Sequence, residues 1–86
     1  MSLTIHPEVP PLALDQDGVC RVSGTRVTLE VILHAFRQGQ APTEIAESYP
    51  TVPLADIYAV IAYCLKHREE VDAYRHNREG VVYEVA

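Results

Sequence analysis

Between residues 54 and 66, Ile57, Val60, Ile61, Cys64 and Leu65 recur at intervals of three and four. That spacing belongs to an α-helix with one buried face and to no strand. Tyr49-Pro50-Thr51-Val52-Pro53 stands in front of it, so the helix begins at about Leu54 and runs to about Lys66. A helix this short is marginal in isolation and needs neighbours to cover its stripe. Leu29, Ile32, Leu33 and Phe36 repeat the same spacing. Thr28 is placed to cap that earlier helix, Glu30 complements its positive end, and Gly39 stops it. Pro42 suits the first turn of a second, short helix through about Ser48, which buries Ile45 and Ala46. Its cap position holds Ala41, which has no acceptor to offer.

The flanks add smaller pieces. Residues 1–11 carry Pro7, Pro10 and Pro11 and read as an extended arm. Two strand-like runs, 12–15 and 19–22, bracket Asp15-Gln16-Asp17-Gly18, a turn signal that predicts a β-hairpin. Ser23-Gly24-Thr25-Arg26 makes a second turn. After Lys66, residues 68–79 form a charged helical segment with Val71 and Tyr74 on one side and acids ahead of bases. Gly80 ends it, and residues 80–86 read as a strand-like tail. The expected divisions are therefore an arm (1–11), a hairpin-plus-helices domain (12–79) and a tail (80–86). The fold class is mainly α.

Eighty-six residues hold one core, and a domain this small gains from burying surface against a second copy, so a homodimer is expected. No run approaches the roughly 18 apolar residues of a membrane helix, and the N-terminus lacks the basic start of a signal peptide. A cytoplasmic location is expected. Cys20 and Cys64 form no CxxC pair and read as small apolar residues rather than zinc ligands. The net charge is −5, from seven Lys/Arg against twelve Asp/Glu. Nucleic-acid binders usually carry a basic face, so this balance favours a basic partner over a phosphate backbone.

Three short helices joined by tight turns are the arrangement of helix-turn-helix domains. A string of words gives this more specificity: Gly18-Val19, Gly24-Thr25-Arg26-Val27, Gly39-x-x-Pro42-x-Glu44-Ile45, Tyr49-Pro50 and Leu54-Ala55-Asp56, then Tyr63 and Glu70-Val71-Asp72-Ala73-Tyr74. In order and spacing this resembles the domain-of-unknown-function 433 family. The resemblance implies a homeodomain-like three-helix helix-turn-helix core with an N-terminal β-hairpin, here followed by an additional C-terminal helix. It also implies a role as antitoxin to a PIN-like ribonuclease toxin; the leading expectation is such an antitoxin, which also autoregulates its operon through operator DNA. The chain departs from the family at Ala41 and Pro53, where Ser or Thr is common.

The outward positions of the third helix are Ala55, Asp56, Tyr58, Ala59, Ala62, Tyr63 and Lys66. Major-groove readout leans on Arg, Lys, Asn and Gln, and a carboxylate near the helix start repels phosphate. This face reads instead as a packing surface, with Tyr58 and Tyr63 as partner contacts. Arg21, Arg26 and Arg37 are the candidate nucleic-acid contacts. For Arg26 the simpler reading is a tie from the turn to nearby backbone. Glu69, Glu70 and Asp72 offer acidic surface, and Val82 and Tyr83 sit in the alternating tail. That tail either meets a partner's sheet edge or pairs with this protein's own hairpin or its dimer mate's. His67 and Glu70 have a spacing that could place two ligands on one helix face, but nothing completes a metal site. No cofactor loop and no nucleophile in a recognisable setting is present, so no catalytic residue is assigned and a binding module is expected. A DNA-binding regulator and a structural adaptor are the alternatives.

Overall fold

The computed structural model describes the backbone of residues 2–85 and the side chains of residues 2–77. Strands β1 (Leu12–Leu14) and β2 (Cys20–Val22) are followed by helices α1 (Leu29–Arg37), α2 (Pro42–Ser48), α3 (Leu54–Lys66) and α4 (Arg68–Val85). The fold is mainly helical, with one small antiparallel hairpin.

Local chemistry accounts for each boundary. In the hairpin, Leu12 pairs with Val22, Ala13 with Arg21 and Leu14 with Cys20. The Asp15 carboxylate closes the turn by accepting from the N–H groups of Asp17 (2.8 Å) and Val19 (3.0 Å), and Gly18 takes a φ of 77°. Thr28 caps α1 by accepting from the Val31 N–H. At its other end Gly39 adopts a φ of 94°, and the N–H groups of Gly39 and Gln40 donate back to Phe36 and Ala35. This doubly bonded ending satisfies carbonyls the helix itself leaves unpaired. Helix α2 starts without a cap from Ala41, but Glu44 accepts from the Ala41 N–H at 2.8 Å. That is half of a capping box, since an alanine side chain cannot reciprocate. Both α2 and α3 begin where the prolines place them, at Pro42 and Leu54.

Val22, Leu29, Ile32, Ile45, Val52, Ile57, Val60, Cys64 and Val71 form the centre of one core, drawn from every element except β1. Leu12, Phe36, Ala46 and Tyr74 pack on its margin. Two expectations are corrected. Leu65 lies outside the buried stripe and is 57% exposed, because it projects beyond the arc that Ile57, Val60, Ile61 and Cys64 define. Residues 80–85 are not a strand: α4 continues through Gly80 to Val85. A single glycine costs a helix only about 1 kcal/mol, which a continuous hydrogen-bonded backbone tolerates. Ala86 lies outside the described residues.

Candidate protein-binding surface

The buried arc of α3 turns its opposite side to solvent. Leu54 is 40% exposed and Tyr58 53% exposed, with Ala62 and Leu65 also exposed. Their spacing of four, four and three places them in one stripe along the whole helix. Charge is confined to its ends, with Asp56 in the first turn and Lys66 in the last. Sequence reading found Tyr58 and Ala62 but missed Leu54 and Leu65. The missed signal was their shared spacing with Tyr58, masked because Leu65 also fits the edge of the buried face. Tyr63 does not join this stripe. It is half-buried, packs on the core, and its ring centroid lies 4.4 Å from that of His67.

The three candidate arginines have different surroundings. Arg21 pairs with Asp15 at 3.1 Å and donates to the Arg26 carbonyl at 2.9 Å, so one guanidinium joins both turns. Arg37 reaches Asp72 at 3.4 Å, linking the end of α1 to α4. Arg26 is exposed, and its side chain makes no hydrogen bond or ion pair among the described residues. The backbone tie expected of Arg26 is therefore made by Arg21, with Arg26 supplying only its carbonyl. The Asp15 carboxyl is held below its ordinary 3.8 chiefly by the Val19 N–H; desolvation opposes this, and Arg21 and the Asp17 N–H add to the lowering.

On α4, Glu69, Glu70 and Asp72 are exposed. Asp72 spends its charge on Arg37, leaving Glu69 and Glu70 as acidic surface. The side chains of Val82 and Tyr83 lie outside the described residues. Among the described residues no group of three potential metal ligands occurs. No helix among them is long and apolar enough to cross a membrane.

Tyr74, which the sequence places beside Val71 on one side of the last helix, joins three elements through its hydroxyl. It accepts from the Cys20 N–H of β2 at 2.7 Å and donates to Glu30 of α1 at 3.3 Å. Beside it an apolar groove of about 350 Å³ runs along β1, between the hairpin and helices α3 and α4. Burial, and then Glu30, pushes the Cys20 thiol up; burial pushes the Cys64 thiol up to about 11. Neither cysteine is in a disulfide.

These features define a small helical domain with an apolar helix face and an apolar groove turned outward. The family model for proteins of unknown function DUF433 matches residues 16–64, more than half of the chain, and the chain belongs to that family. The match runs from the hairpin turn to Cys64 in α3 and leaves the arm, β1 and α4 outside it. No curated protein and no solved structure matches the chain.

Proposed function

We propose that this protein is a protein-binding module of the antitoxin type, which neutralises a PIN-like ribonuclease toxin encoded beside it. In this reading α1–α3 are a homeodomain-like helix-turn-helix, acting in the cytoplasm as a homodimer, and the outward face of α3 has become a protein contact. The observation that carries the proposal is the stripe of Leu54, Tyr58, Ala62 and Leu65 where a DNA-reading helix would need hydrogen-bonding bases and amides. An amphipathic helix with anchors at this spacing suits an apolar groove on a partner. The acidic surface of Glu69 and Glu70 and the net charge of −5 suit an enzyme whose approach must attract RNA phosphates.

An operator-binding regulator has one observation in its favour, the exposed Arg26. Against it, Arg21 and Arg37 are each already paired with a carboxylate. Co-expression with the adjacent PIN-like toxin separates the readings. Wild-type protein restores growth, and Tyr58→Asp/Leu65→Ser abolishes rescue while leaving the circular dichroism unchanged. Arg26→Ala rescues fully. Rescue by the Tyr58/Leu65 variant, or failure of the wild type to bind the toxin, removes the proposal.

A further inference from the structure

We infer that two copies of this chain associate by exchanging N-terminal arms, each arm seated in the other copy's groove along β1. Leu3, Ile5 and Val9 are 84%, 81% and 85% exposed, three aliphatic side chains on one segment that belongs to no helix or strand. The groove is their complement: Leu12, Leu14, Cys20, Val71 and Tyr74 make its walls almost wholly apolar.

The hairpin's hydrogen bonding shows which edge would receive the arm. The outward N–H groups of β2 are taken, Cys20 by the Tyr74 hydroxyl and Val22 by the Val27 carbonyl. On β1 the ladder's alternation turns Leu12 and Leu14 outward; the Leu12 N–H donates to Pro10, and the Leu14 N–H has no partner among the described residues. An open edge beside an apolar groove is where an extended segment adds as a strand, its alternate side chains filling the groove.

The chain's own connection works against the arm filling its own groove. Pro10 lines the groove's rim, and the Pro11 carbonyl is fastened to the Ser23 N–H at 2.9 Å. Val9 thus leaves directly from the rim, and the arm would have to reverse within a few residues that include Pro7. Residues 2–9, extended, reach about 26 Å, which matches the 26 Å and 22 Å shorter dimensions of the molecule. Burying three aliphatic side chains removes on the order of 100 Å² apiece. Counting the groove walls and the reciprocal arm, the exchange covers on the order of 1,000 Å², the lower bound for a specific interface. A two-fold exchange is closed and leaves no arm over.

Cys20 in the groove wall supplies the test. In full-length Ile5→Cys, mild oxidation at alkaline pH, where the raised Cys20 thiol ionises, is expected to give a covalent dimer. Peptide mapping should place the link between the position-5 thiol and Cys20, with an intact mass of two chains. A link of the same two positions within one chain overturns the proposal, as does absence of that link. Independently, deleting residues 2–9 should convert a light-scattering dimer at micromolar concentration into a monomer with unchanged circular dichroism. A wild-type monomer, or a dimer that survives the deletion, also overturns it. Neither readout depends on toxin binding, so the α3 proposal stands or falls separately.

Discussion

Tyr74 illustrates how much one polar atom can organise in a core this small. Its hydroxyl is the acceptor for a β2 amide and a donor to an α1 carboxylate, while its ring packs on the core margin. Tyr74→Phe keeps the ring and leaves the Cys20 amide without its acceptor, a loss of about 1–3 kcal/mol. For a domain of this length each kcal/mol shifts Tm by about 4–8 °C, so thermal melts resolve the effect; an unchanged Tm would mean water replaces the hydroxyl without cost. Asp15 makes a different demand, on pH. Its folded pKa is depressed, so its stabilising contribution is complete above the ordinary value of 3.8 and is lost as pH falls through the depressed value. Asp15→Asn keeps an oxygen for the two turn amides but loses the charge. The stability gap between wild type and this variant should be widest near neutrality and close below pH 3.8, read by urea melts across the acid range.

Helix ends were the most legible part of the sequence, because their chemistry is local. Thr28, Gly39 and Pro42 each act where their covalent structure suits them, and the hairpin turn follows from Asp15 and Gly18. What stayed hidden depends on distant parts of the chain. Leu65 sits at the edge of a helical arc, where spacing alone does not say on which side neighbours stop. Arg21 and Arg26 bracket the same turns, and only the folded hairpin decides which guanidinium reaches back. The Tyr74 hydroxyl bonds 54 residues away, beyond any local pattern. In the tail, alternating residues suggested a strand, but a strand needs a sheet edge, whereas a helix satisfies its own backbone. Caps offer a matched pair of measurements. Thr28→Ala should destabilise by about 1 kcal/mol, and Ala41→Ser should stabilise by up to about 1 kcal/mol, because Ala41 already has the extended φ of −71° and ψ of 152° that a cap adopts. A loss of stability in Ala41→Ser would mean that the Glu44 contact is disturbed by the new hydroxyl.

Among the described residues Arg21 and Arg37 are each paired with a carboxylate, and the chain's net charge is −5, which sets how the whole molecule meets polyanions. Binding to random duplex DNA should be weak, with log K falling against log salt at a slope shallower than about −2, since each phosphate contact contributes about −0.9. Fluorescence anisotropy between low and moderate salt measures this, and a slope near −5 would reveal a basic strip assembled from several copies. The long reach of the Tyr74 bond has one more result. The Cys20 amide points away from its hairpin partner, and the acceptor it finds belongs to α4. Whenever α4 lifts from the body, that proton meets water although β1 and β2 stay paired. Its hydrogen-exchange rate therefore counts how often the C-terminal helix departs, separately from global unfolding. One amide in a two-stranded hairpin serves as a gauge for a helix half the sequence away.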